Sequence, residues 1–124
     1  KLFNSDIKDF ITKAEIIQNA KVINNNICLA YTKTETDNIN IVIAQAADEL
    51  LNIKEVEASF VLARKDDRVF ISARSLGNIN VHVLMENLGG GGHRDMAGAQ
   101  LDTSLEKAYE MVKDTIQTYI KEEE

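Results

Sequence analysis

The sequence predicts an α/β (α+β) fold in a single domain: a mixed β-sheet with helices packed on it. Three observations carry that expectation. Apolar residues recur at helical spacing in four stretches of the chain. Between them lie short apolar runs bounded by two turn signals, Asn24-Asn25-Asn26 and Lys65-Asp66-Asp67-Arg68. The length, 124 residues, is enough for one hydrophobic core and too short to expect two.

Residues 2–20 read as a helix, with Ile7, Phe10, Ile11, Ala14 and Ile17 at helical spacing and Lys8, Asp9, Lys13 and Glu15 between them. Two short strands, 20–23 and 27–31, flank the asparagine turn, because Asn tolerates positive φ. Asp37 or Asn38 can cap a helix to about Leu51 whose apolar face is Ile39, Val42, Ile43, Ala46 and Leu50. Residues 57–64 and 69–74 form a β-hairpin in which Ala58, Phe60 and Leu62 alternate with Ser59, Val61 and Ala63. A loop leads to Asn80, which can cap a short helix from Val81 to Leu88, and Gly89 ends it. The glycine run follows as a loop, and residues 97–101 are a last strand. Thr103 or Ser104 then caps a C-terminal helix with a stripe of Ala108, Met111, Val112, Thr115, Ile116 and Tyr119 or Ile120. Glu122, Glu123 and Glu124 are a solvated end.

Composition narrows the function classes. The net charge is −6, so the basic footprint of a duplex-DNA binder is missing, while one small phosphorylated ligand remains compatible with a locally positive site. Cys28 is the single cysteine and sits in an apolar stretch, which reads as a buried structural thiol. No apolar run approaches the ~18 residues that span a bilayer, and the N-terminus is not a signal peptide, so a cytoplasmic domain is expected. The chain starts at Lys1 without an initiator methionine, and the expectation is a piece of something longer.

The segment richest in chemistry is Leu88-Gly89-Gly90-Gly91-Gly92-His93-Arg94-Asp95-Met96-Ala97-Gly98-Ala99. Four consecutive glycines cost chain entropy. They can let N–H groups converge into an anion-binding nest, or let a ligand approach a backbone without Cβ atoms. A flexible turn is the plain alternative. His93 can donate to a phosphate oxygen, ligate a metal or sit in a core. The run is neither a Walker A loop nor a dinucleotide fingerprint, since the required residues do not follow at the required spacing. Upstream, Ser72-Ala73-Arg74-Ser75 ends a strand, and an arginine beside hydroxyls suits bidentate phosphate recognition. Pairing of Arg74 with a nearby acid is the alternative. Asn80 has a capping role in either case and can also reach a ligand. His82, in the short helix, reads as a partly exposed bystander. No D-x-D, D-H-H or H-x-x-x-H cluster exists, so metal ligation by this chain alone is not expected.

Taken together, S-x-R-S at a strand end, N-V opening a brief helix, and G-G-G-G-H with an Ala-Gly pair just after resemble the accessory domain of DHH-family phosphodiesterases. The wider stretch 45–101 looks most like the membrane-anchored bacterial cyclic di-AMP phosphodiesterases, and the resemblance covers nearly the whole chain. It implies a DHH-associated domain fold, with residues 1–20 as the linker helix from a missing DHH domain and 21–124 as the substrate-binding domain. It also implies two manganese ions held in that missing domain, and none in this chain. Arg74 matches the arginine that holds substrate phosphate, Gly90, Gly91 and Gly92 the loop whose backbone approaches it, and His93 the histidine that hydrogen-bonds it. Ser72, Ser75 and Asn80 match supporting positions. Met96 stands where many relatives have a small residue.

The implied partners are cyclic di-AMP, pApA or other short adenine nucleotides, the DHH domain of the same chain and a second copy in a homodimer, with no duplex DNA. The implied parent is anchored in the bacterial membrane with this domain in the cytoplasm. The isolated chain is expected to hydrolyse nothing. Three alternatives stand beside this: an accessory domain of an oligoribonuclease or single-strand exonuclease, a non-catalytic interaction or sensory domain, and the related domain of alanyl-tRNA synthetases.

Overall fold

In the computed structural model, which describes residues 4–123, the chain runs α1 (Asn4–Gln18), β1 (Lys21–Ile23), β2 (Ile27–Thr32), α2 (Ile39–Leu50), β3 (Ala58–Lys65), β4 (Arg68–Ser75), α3 (Val81–Glu86), β5 (Gly91–Gly92), β6 (Met96–Leu101) and α4 (Leu105–Glu123). The expected first helix and acidic tail each extend beyond the described residues. The six strands form one sheet in the order β1-β2-β3-β4-β6-β5. Only β2 and β3 run parallel, joined through α2, and the other four pairings are antiparallel. This is the mixed sheet with packed helices that the sequence predicts.

The turns form where residue chemistry asks for them. Asn24 and Asn25 have φ of 52° and 67°, and Asp66 and Asp67 have 52° and 66°. Two consecutive residues at positive φ give a hairpin turn whose twist matches the flanking strands. Asn38 occupies the N-cap position of α2, but its side chain does not cap. Its amide donates instead to Asp9 on α1 at 3.1 Å. Ser104 does cap α4, accepting from the Lys107 N–H at 3.1 Å.

Helices cover both faces of the sheet. On one, α3 and α4 bury Val81, Leu84, Met85, Ala108, Val112 and Ile116 against Phe60, Leu62, Ile71 and Ala73. On the other, α2 buries its expected stripe, with Ala47 added, against Cys28, Ala30, Val61 and Ala63. Every residue of β3 from Ala58 to Ala63 is therefore buried, because a central strand with helices on both faces has no solvent side. Alternation in β3 separates two cores rather than core from water.

Helix α1 departs from expectation. Ile7, Phe10 and Ile11 are exposed, and the side it lays on the sheet layer carries Thr12 and Ile16. The buried Thr12 hydroxyl is satisfied by the Lys8 carbonyl at 2.8 Å, which is why a polar residue can face inward. Helical spacing marks one apolar face. It does not say which neighbour, if any, covers it.

Candidate functional site

Strand register builds the site. Arg74 on β4 lies opposite Met96 on β6. Beyond it, Met96 and His93 exchange two backbone hydrogen bonds, His93 N–H to the Met96 carbonyl at 2.7 Å and the reverse at 3.3 Å. Arg74, Met96 and His93 thus form one row across β4, β6 and the residue that follows β5. Two residues along, Ser72 lies opposite Gly98, and Gly98 opposite Gly91. Side chains alternate between faces, so both rows look out on the same side of the sheet. That side carries α2 over β3 and β4, but Met96, at the β6 end, is 51% exposed. The result is an open shelf: a floor of Ser72, Gly98 and Gly91 beside the guanidinium of Arg74 and the imidazole of His93. Two strand spacings separate the Arg74 and His93 backbones, roughly 10 Å.

The glycine run is not a loop throughout. Gly91 and Gly92 form the edge strand β5, which the sequence pattern does not reveal because glycine carries no side chain to alternate. Nor is the run a nest of converging donors. The Gly89 N–H bonds the Glu86 carbonyl at 3.0 Å and the Gly90 N–H bonds that of Met85 at 2.8 Å, the two bonds of a Schellman cap closing α3. Gly91 faces Gly98 in the ladder. Since His93–Met96 is a hydrogen-bonded pair, Gly92–Ala97 is the non-hydrogen-bonded kind, and the Gly92 N–H points out of the sheet edge.

The four glycines are not equivalent. Gly89 has φ of 87°, as the cap requires. A Cβ on Gly90 would press on Ala99, and one on Gly92 would lie 2.5 Å from the Ala97 Cα. Both would intrude on the core side of the hairpin. A Cβ on Gly91 would meet nothing within 4 Å, and its φ is not in the positive range. The fold alone does not demand glycine at Gly91, which looks out onto the shelf.

The other expected residues separate. Arg74 is 12% exposed; its Nε donates to Asp48 Oδ1 at 2.9 Å and its Nη1 to the Ala73 carbonyl at 2.9 Å. Pairing with an acid, held open from the sequence, is therefore present. Ser72 stays beside Arg74 on the shelf. Ser75 shares the opposite face with Ala73, is buried, and accepts from the Gly77 N–H at 2.9 Å. Asn80 caps α3, accepting from the His82 N–H at 3.1 Å and the Val83 N–H at 3.3 Å, and its own N–H donates to the Tyr119 hydroxyl. His82 is 42% exposed and faces Glu86 at 3.7 Å. Neither Ser75 nor Asn80 joins the row.

Sequence reasoning passed over two contributors. Arg94 donates from Nε to the Gly77 carbonyl at 2.6 Å. The Val81 N–H donates to the Arg94 carbonyl and the Ser75 N–H to that of Asp95, both at 3.0 Å, so the β5–β6 tip is tied to the loop after β4. Asp48 is the second. Its signal was faint: a carboxylate in the last turn of a helix, where the dipole disfavours it.

Among the described residues, no three His, Cys, Asp or Glu side chains gather into a metal site, and no helix is long and apolar enough to cross a membrane. Burial pushes the Cys28 thiol above its ordinary range, in keeping with a packed thiol.

Known proteins are similar to nearly the whole of this chain. The chain is 41% identical over 98% of its length to cyclic-di-AMP phosphodiesterase GdpP of Bacillus subtilis, and 35% identical over 99% to cyclic-di-AMP phosphodiesterase PdeA of Listeria monocytogenes. It spans 19% of the length of each. An exopolyphosphatase-related protein from Bacteroides fragilis superposes with a TM-score of 0.80 at 22% identity, over 96% of this chain and 36% of its own. The DHHA1 domain family model matches residues 24–122, beginning after α1 and taking in every residue of the shelf, and the chain belongs to that family.

Proposed function

We propose that this domain grips the phosphate of an adenine dinucleotide on behalf of a phosphodiesterase whose hydrolytic centre lies elsewhere in a longer chain. The observation that carries the reading is the row: Arg74 and His93 on one open face, on either side of Met96, beside the bare backbone of Gly91. The relatives named as cyclic-di-AMP phosphodiesterases supply the substrate class; in this reading, opening one phosphodiester gives linear pApA. A DHH domain of the same chain faces the shelf across a cleft in this reading.

The chain's own residues bind and orient. The Arg74 guanidinium and a His93 N–H donate to the non-bridging oxygens. Gly91 lets the phosphate rest against the sheet, and the outward Gly92 N–H adds a neutral donor at the edge. Donors fixed in place before the reaction favour the charge that develops on those oxygens. Two manganese ions belong to the DHH domain in this reading. Among the described residues no cluster of three His, Cys, Asp or Glu side chains is available to hold them.

The test is a titration of this chain with pApA, AMP and cyclic di-AMP, followed by amide NMR shifts. Saturable shifts centred on Gly89 to His93 and Arg74 are expected. Absence of shifts with all three ligands, together with undiminished turnover of Arg74→Ala in the longer enzyme, overturns the reading. Comparing hydrolysis of cyclic di-AMP with that of short RNA by the longer enzyme separates the dinucleotide from an oligoribonucleotide substrate.

A further inference from the structure

The geometry points to Asp48 as a positioning residue that sets which edge of the Arg74 guanidinium is offered to a phosphate. The inference rests on the reading of Arg74 as a phosphate ligand.

A guanidinium has five N–H donors and can engage an anion bidentately through either of two edges, Nε with Nη2 or Nη1 with Nη2. Here the Nε hydrogen is taken by Asp48 Oδ1 at 2.9 Å and one Nη1 hydrogen by the Ala73 carbonyl at 2.9 Å. Both Nη2 hydrogens and the second Nη1 hydrogen are left, so the remaining bidentate edge is Nη1 with Nη2. Without Asp48, the long side chain could rotate and present either edge.

Helix α2 does not need this carboxylate. Asp48 and Glu49 lie in its final turn, where no basic residue stands and negative charge opposes the helix dipole. Glu49 is compensated by Lys13 at 2.9 Å, and Asp48 by Arg74. Asp48 is also anchored from below. The fully buried Ser59, directly opposite Arg74 on β3, donates to the carbonyl of Ala47 at 2.6 Å. That bond pins the turn of α2 preceding Asp48 to the strand beside Arg74. The pair is also asymmetric, with Arg74 at 12% and Asp48 at 60% exposure. The guanidinium is held in its slot, and the carboxylate that orients it stays largely in water.

Steady-state kinetics of the full-length phosphodiesterase chain on cyclic di-AMP test the inference, with Arg74→Ala, Asp48→Ala, Asp48→Asn and the double Asp48→Ala/Arg74→Ala variant. A misplaced guanidinium is expected to raise KM about 10-fold in Asp48→Ala. Asp48→Asn, which keeps an acceptor oxygen, recovers most of that loss. The double variant is no worse than Arg74→Ala alone, because Asp48 acts only through Arg74. A merely structural Asp48 would lower apparent kcat with KM unchanged, and would do so equally in both backgrounds; that result overturns the inference. So does a wild-type KM in Asp48→Ala where Arg74→Ala is impaired, which leaves the phosphate reading standing. Undiminished kinetics in Arg74→Ala would remove the phosphate reading itself, and this inference with it. Should Asp48→Ala melt below the assay temperature, Asp48→Asn and its combination with Arg74→Ala carry the same comparison.

Discussion

Gly91 and Gly98 face each other across β5 and β6, yet only one of them has room for a side chain. A Cβ on Gly98 would lie 2.8 Å from the Ile71 carbonyl, while one on Gly91 would meet open space. The same hairpin therefore holds glycines kept by the fold and one that the fold does not explain.

That difference can be read in a pair of variants. Gly90→Ala forces a methyl into Ala99 and the β6 backbone, and is expected to cost about 1–3 kcal/mol or more of stability. Gly91→Ala should melt like the parent chain while weakening the NMR response to pApA, and Gly91→Val should weaken it further. Thermal melts and the ligand titration, run on the same samples, check both. A Gly91→Ala chain that binds as well as the parent would mean that nothing approaches the backbone there.

His93 is exposed, and it is its backbone that completes the ladder with Met96. His93→Ala should therefore shift stability by no more than about 0.5 kcal/mol. In the longer enzyme it should lower kcat/KM by roughly 100-fold, the scale of losing one preorganised donor. Chemical denaturation and steady-state kinetics give the two numbers.

Asn80 supplies the opposite pattern. Its side chain satisfies two N–H groups at the start of α3, so Asn80→Ala should cost ~1 kcal/mol. Faster hydrogen exchange at His82 and Val83 would locate the loss. Nucleotide affinity that falls further than this destabilisation explains would add a ligand contact to the cap.

The Asn78 and Asn26 amides, both donating to Glu57, hold its carboxyl below the usual carboxylate range. A depressed folded pKa means that the unfolded chain binds the proton first as pH falls. The stabilisation is full above the ordinary carboxylate pKa and is lost as pH drops through the folded value. Glu57→Gln should therefore lose less melting temperature than the parent between about pH 7 and about pH 3. The remaining acid sensitivity would include Asp102, whose carboxyl is lowered by its bond to Arg68 at 2.7 Å.

Local chemistry made much of the fold legible. Asn24, Asn25, Asp66 and Asp67 adopt the positive φ their side chains tolerate, Asn80 and Gly89 bound α3, and the α2 stripe is buried where its spacing puts it. What stayed hidden depended on partners. The apolar residues of α1 are regularly spaced, but Ile7, Phe10 and Ile11 face outward, because spacing does not name the neighbour. Strand β5 was invisible because two glycines have no pattern. For the site, Arg74, Gly91 and His93 were legible as residue types suited to phosphate. Their common face was not, since it follows from the register of β4, β6 and β5. Asp48 was missed because its one signal, an acid in the last turn of a helix, is faint among twenty acidic residues.

Strand β5 is two residues long and ends the sheet. Sheet edges invite other chains to add a strand, and proteins commonly guard them with charge, proline or a bulge. Here brevity is the guard. An incoming strand would find two rungs to climb, too few to hold a polypeptide, while a single oxyanion needs only one. The margin of the sheet can stay open to a small ligand without becoming a seam for aggregation.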